Sequence, residues 1–183
     1  MVSSNLLSLF FFITFLSFSA NSARLLVEDL ITTTCSRTYY VDLCLSTLRA
    51  DTRSQKADLK GLAKIALDIS HANATNIISH LRESKPQNDA SGHLKSYYLS
   101  CVEDCVDEYQ DALGNLEEAN TALDSNWFAT ADSFTTAAMT DSETCEDGFI
   151  DYEDIKSPLT EKNRMFSNLC SNALAILDIL DDL

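Results

Sequence analysis

Six cysteines, three histidines and a dense set of carboxylates are the side chains here that could do chemistry. Catalysis or metal binding needs such groups to converge, and their spacing speaks against it. His71 and His80 stand nine residues apart, which at about 100° per residue puts them on opposite faces of one helix. His93 sits near the start of another helix. The cysteine spacings match no zinc pattern, and the Glu-x-x-His pairs of di-metal helix bundles are missing. There is no nucleophile elbow and no glycine-rich phosphate loop. Carboxylate pairs occur everywhere in so acidic a chain, so no single pair is informative. The sequence is therefore expected to encode no enzyme, with no metal and no cofactor.

The cysteines are better read as disulfides, because the N-terminus reads as an export signal. Leu6 to Phe18 is almost wholly apolar and too short to span a bilayer with comfort. The small residues Ser19-Ala20-Asn21-Ser22-Ala23 follow, and the first charged side chain is Arg24. Residues 1–22 are expected to be removed as a signal peptide, leaving 23–183 as one secreted domain with no membrane segment. Its formal net charge of −15 repels nucleic acid and anionic membranes and suits an extracellular protein or a basic partner. An even cysteine count in an exported chain points first to disulfides.

The elements that must position these residues are helices. Four glycines and two prolines give little punctuation, and strand-like alternation is absent. Asp58 reads as the cap of a first long helix with Leu59, Leu62, Ala66, Ile69, Ile77 and Leu81 on one stripe, ended by Lys85-Pro86-Gln87-Asn88. A second carries Leu94, Tyr97, Tyr98, Cys101, Cys105, Ala112, Leu116, Ala119 and Leu123, up to a turn near Asp124-Ser125-Asn126. The third offers Phe128, Ala131, Phe134, Ala138, Cys145, Phe149 and Tyr152, with a break expected around Thr140 to Glu143 and a stop at Ser157-Pro158. Thr160 is placed to cap the fourth, whose stripe is Phe166, Leu169, Ala173, Ile176, Leu177 and Leu180. The fold class is all-α: an up-down-up-down four-helix bundle over 58–183, with an N-terminal helical hairpin over 25–55.

The hairpin register pairs cysteines. Cys105 lies 20 residues before a tip at Ser125 and Cys145 lies 20 after it, both on inward stripes. Cys35 and Cys44, nine residues apart, can close the N-terminal hairpin locally. Cys101 and Cys170 remain on the second and fourth helices, which are diagonal in such a bundle. Two disulfides and two buried thiols are favoured over three disulfides.

One acidic pattern is less random than the rest. Asp104, Asp107, Asp111 and Glu118 recur at helical spacing opposite the apolar stripe of the second helix. Asp107 follows Cys105 by two residues and Thr144 immediately precedes Cys145, so the cross-link would hold both on adjoining helices. A rigid face of two bridged helices is a good platform for another protein.

Several blocks then resemble the plant invertase and pectin methylesterase inhibitor family. They are Cys35 with Cys44, Cys105-Val-Asp-Glu-Tyr109-Gln-Asp-Ala112, and Ala137-Ala138-Met139-Thr140-Asp141-Ser142-Glu143-Thr144-Cys145-Glu146-Asp147-Gly148-Phe149. The resemblance covers about residues 30–182. It implies a helical hairpin on a four-helix bundle, with Cys35–Cys44 and Cys105–Cys145 bridges. Cys170 matches a position where some members hold an unpaired cysteine, and Cys101 departs from the common pattern.

The family has two target classes. Invertase inhibitors of the cell-wall type place Pro-Lys-Phe after the hairpin tip, where this chain has Asn126-Trp127-Phe128. Pectin methylesterase inhibitors use the second and third bundle helices, with an acid two positions after the third cysteine and a threonine before the fourth. Asp107 and Thr144 stand there, Asp107 replacing a glutamate known in the family. The expected function is secreted, 1:1 non-covalent inhibition of pectin methylesterase in the apoplast, through Asp107, Thr144, Asp104 and Asp111. The alternative target is a cell-wall or vacuolar acid invertase, met by Trp127 and Phe128, and a further alternative is a helical signal protein without an enzyme target. The one glycosylation sequon, Asn73-Ala74-Thr75, is expected in the buried stripe and unused.

Overall fold

The computed structural model describes residues 30–84, 92–150 and 156–183. The expected signal peptide, the Lys85–Asn88 stop and Tyr152 lie outside the described residues. Residues 30–35 are helical (α1), followed by α2 (Val41–Ala50), a 3-10 turn (Thr52–Lys56), α3 (Leu59–Glu83), α4 (His93–Asp124), α5 (Phe128–Asp147) and α6 (Thr160–Asp181). No strand occurs among the described residues. The four long helices pack in a ring, α3 on α4, α4 on α5, α5 on α6 and α6 on α3, with α2 laid across α3 and α6.

Local chemistry explains most of the boundaries. Asp58 is extended and its carboxylate accepts the Gly61 N–H at 2.8 Å, capping α3 as its position implies. At the far end of α4 the chain closes a Schellman turn. Asn126 takes a left-handed φ of 61°, its N–H meets the Leu123 carbonyl at 3.0 Å, and the Trp127 N–H meets the Ala122 carbonyl at 2.9 Å. α4 and α5 are therefore antiparallel neighbours. The Cys105–Cys145 disulfide joins them as the register from Ser125 requires, and Cys35–Cys44 closes the N-terminal hairpin. Cys101 and Cys170 are buried thiols on the diagonal helices α4 and α6.

The core lies along the inward stripes, with Leu62, Leu67, Leu81, Leu116, Leu123, Phe166, Ile176 and Leu177 among its most buried side chains. Each such burial stabilises by roughly 1.5–3 kcal/mol. Tyr109 meets Phe166 edge to face with ring centres 5.3 Å apart. The hairpin is tied to α6 by Asn172, whose side-chain amide donates to the Tyr40 carbonyl at 3.0 Å and accepts the Tyr40 N–H at 3.2 Å.

Three expectations change. The break at Thr140–Glu143 does not occur: α5 is continuous from Phe128 and ends at Asp147, well before Ser157. The hydroxyls of this stretch bond back within the helix, Thr140 to the Thr136 carbonyl, Ser142 to Met139 and Thr144 to Thr140. Second, Phe134 is only half-buried, and the inward stripe runs through Thr135, fully buried with its hydroxyl bonded to the Ala131 carbonyl at 2.7 Å. Third, Thr160 is not the cap of α6. The cap position is Leu159, without a side-chain hydrogen bond, and the Thr160 hydroxyl donates to Glu146 at the end of α5. Asn73 is half-buried beside the fully buried Ala74, and its side-chain oxygen is buried with no hydrogen-bond partner among the described residues.

Candidate protein-binding face on the cross-linked helices

The face around Cys105–Cys145 is built outward from a polar knot. Glu146 accepts hydrogen bonds from Ser157 at 2.8 Å, from the Asn163 amide at 2.6 Å and from Thr160. Asn163 in turn accepts the buried Tyr109 hydroxyl at 2.7 Å. Burial pushes the Tyr109 phenol upward, so it donates as a neutral group. Just beyond, the Gly148 carbonyl receives the Tyr97 hydroxyl at 2.8 Å and the Cys101 thiol at 3.1 Å. The C-terminal end of α5 is thus fastened to both α4 and α6 beneath the disulfide. Cys170 is deeper still, and burial raises its thiol to about 12, which keeps it protonated and inert.

On the outside of this scaffold Asp104, Asp107, Asp111 and Glu118 are all exposed on α4, and Thr144 is exposed on α5. The Thr144 hydroxyl spends its proton on the Thr140 carbonyl at 3.1 Å, leaving its methyl group and acceptor lone pairs for a partner. No lysine or arginine occurs between Lys95 and Lys156, a stretch that carries more than half of the acidic side chains. Beyond Lys95, no positive charge from α4 or α5 therefore offsets the carboxylates of the face, which is strongly negative.

Two members of this face escape the sequence reading. Glu108 is held above its ordinary value by partial burial first, and then by Asp141, Asp111, Asp104 and Asp107 around it. Asp141 is likewise raised by burial and by Asp111, against a 2.9 Å hydrogen bond from Asn115. Glu108 and Asp141 stand almost equidistant from the Ser125 turn, so the register that pairs the cysteines could have brought them together. No group of His, Cys, Asp or Glu capable of holding a metal ion exists among the described residues.

The hairpin tip is a separate region. Lys60 of α3 donates to the Asp124 carbonyl at 3.1 Å and to the Asn126 side chain at 2.8 Å, while Lys64 pairs with Asp124. Trp127 projects from this pinned turn, 66% exposed. Phe128 does not project with it. It is half-buried against the core and lines a cleft with Leu177, Asp132, Asp178 and Asp181.

A ring of four helices, a disulfide-closed N-terminal hairpin and a second bridge across α4–α5 define a helical protein-binding scaffold. The chain belongs to the plant invertase/pectin methylesterase inhibitor family, whose signature matches residues 29–176. Members of that family are protein inhibitors of enzymes, not enzymes. A putative invertase inhibitor from Platanus orientalis is 34% identical over 172 residues, covering 90% of this chain and 98% of the relative. A pectinesterase inhibitor from Actinidia deliciosa is 31% identical over 179 residues, covering 97% and 94%. In three dimensions, the crystal structure of a mutant pectin methylesterase inhibitor from Arabidopsis superposes with a TM-score of 0.65 at 30% identity, over 81% of this chain and 95% of that one.

Proposed function

We propose that this protein is a secreted inhibitor of an apoplastic pectin methylesterase, which it blocks by laying α4 and α5 over the substrate cleft in a 1:1 non-covalent complex. The carrying observation is the exposure of Asp107 and Thr144 on two helices locked by the disulfide that they flank. An anionic, carboxylate-rich face selects a partner that presents N–H donors and positive charge at the contact. Occlusion needs no chemistry from the inhibitor, only a rigid surface that fits the cleft.

A second reading has its own support. Trp127 stands exposed on a turn held by Lys60 and Lys64, and a relative named as a putative invertase inhibitor shares 34% identity. The proline and lysine of the invertase-type motif are absent at Asn126-Trp127. Assaying the purified protein against one plant pectin methylesterase and one acid invertase decides between the two. Inhibition of the esterase alone is expected, and inhibition of the invertase alone overturns the assignment.

A further inference from the structure

The chain has four glycines, and two of them have a steric reason within the fold. Gly92 adopts a φ of 61°, which side chains rarely tolerate. A Cβ on Gly61 would stand 2.9 Å from the Ala57 Cβ and 3.2 Å from the Asp58 oxygen that caps α3. Gly148 lies just past the last residue of α5 in ordinary right-handed backbone, where a glycine interrupts no helix interior. Gly114 has no such reason. It is exposed, α4 runs unbroken through it, and, apart from its two neighbours and the backbone of its own helix, no described atom lies within 4 Å of where its Cβ would be. A glycine there weakens the helix relative to alanine and gains nothing inside the molecule.

Its position supplies the missing reason. At about 100° per residue Gly114 points directly away from the core side formed by Cys105, Tyr109, Ala112 and Leu116. It also falls within the outward stripe of Asp107, Asp111 and Glu118, which follow the three-and-four spacing of a helix face. A gap in the side-chain layer at this point lets another molecule touch the α4 backbone, with Asp111 and Glu118 as acceptors on either side.

We infer that Gly114 is a close-approach contact of the inhibitory face, where an element of the target enzyme rests against the α4 backbone. This rests on the pectin methylesterase reading and adds a residue to its interface. A Cβ at Gly114 would occupy space that the complex needs while favouring the free helix. Stability and affinity should therefore move in opposite directions.

The test compares Gly114→Ala, Gly114→Leu and the control Ala72→Leu, an exposed alanine on α3. Gly114→Ala should raise Tm by about 1–4 °C and weaken pectin methylesterase inhibition by about 10-fold. Gly114→Leu should weaken inhibition by about 100-fold, and Ala72→Leu should leave it unchanged. Wild-type inhibition retained within about 2-fold by both Gly114 variants overturns the inference alone, as does a fall in Tm for Gly114→Ala, which would reveal an internal role. Wild-type protein that does not slow the esterase at all removes the parent reading, and this inference with it.

Discussion

The turn at Ser125–Asn126 and the face around Cys105–Cys145 belong to the same two helices, yet different forces hold them and they offer a partner different chemistry. The turn is held by cations from α3, through Lys60 and Lys64, and by backbone hydrogen bonds of the Schellman type. It projects one large apolar ring, Trp127. The face is held by a covalent bond above a knot of Tyr109, Asn163 and Glu146, and it presents carboxylates and a back-bonded threonine. An aromatic protrusion suits insertion into a pocket, whereas a flat acceptor surface suits covering a cleft. The same scaffold can thus carry two modes of inhibition, and the side chains, not the fold, decide between them.

Removing the bond under the face is the largest perturbation. Closing a loop of about 40 residues contributes roughly 3–4 kcal/mol in the chain-entropy model. Replacing Cys105 and Cys145 together by alanine should lower Tm by about 10 °C, read by thermal melting. Pectin methylesterase inhibition should fall with it, since Asp107 and Thr144 lose their common frame. Unchanged inhibition in that variant would mean that the face does not act as one rigid unit.

Single changes on the two regions sharpen the contrast. Asp107→Lys or Thr144→Trp should cost about 2–4 kcal/mol of binding, or roughly 30- to 1,000-fold in the inhibition constant. Because both side chains are exposed, helicity and Tm should stay nearly constant. Trp127→Ala should matter far less for the esterase. Phe128 is a poorer probe of the tip than its place in the sequence implies, since it is half-buried and its loss would disturb packing. A dominant Trp127 with silent Asp107 and Thr144 would transfer the protein to the invertase side of the comparison.

How much of this was legible in the sequence follows from how local each cause is. Asp58 could be recognised as a cap because its partner, the Gly61 N–H, is three residues away. Cys105 and Cys145 could be paired because an antiparallel hairpin turns equal distances from its tip into neighbours. Thr160 looks like a cap in the sequence, but the contact that organises the start of α6 comes from Glu146, on another helix. An apolar-stripe reading picks Phe134 and passes over Thr135, because residue type conceals that a threonine bonded to its own helix can be buried at little cost. The grip of Lys60 and Lys64 on the turn, and the crowding of Glu108, depend on helix packing that hydrophobic periodicity does not encode.

The smallest effect concerns that crowding and separates the face from the tip by pH. Glu108 is the half-buried member of an acidic set with no lysine or arginine on its own hairpin beyond Lys95, and its carboxyl is raised from 4.5 by burial and by four neighbouring carboxylates. A carboxyl raised in the folded state binds its proton more tightly there than in the unfolded chain. Its contribution to stability is therefore fully present below the unfolded value near 4.5, and it is lost as pH climbs through the raised value. At neutral pH the ionised Glu108 is a net strain on the fold. Glu108→Gln removes that charge and should raise Tm by about 1–3 °C at pH 7, with the gain shrinking to nothing near pH 4. Trp127→Ala, at the far end of the hairpin from Glu108, should show no such pH dependence relative to wild type. A Glu108→Gln gain that is equal at both pH values would assign the effect to packing and remove electrostatic crowding from the account of this face.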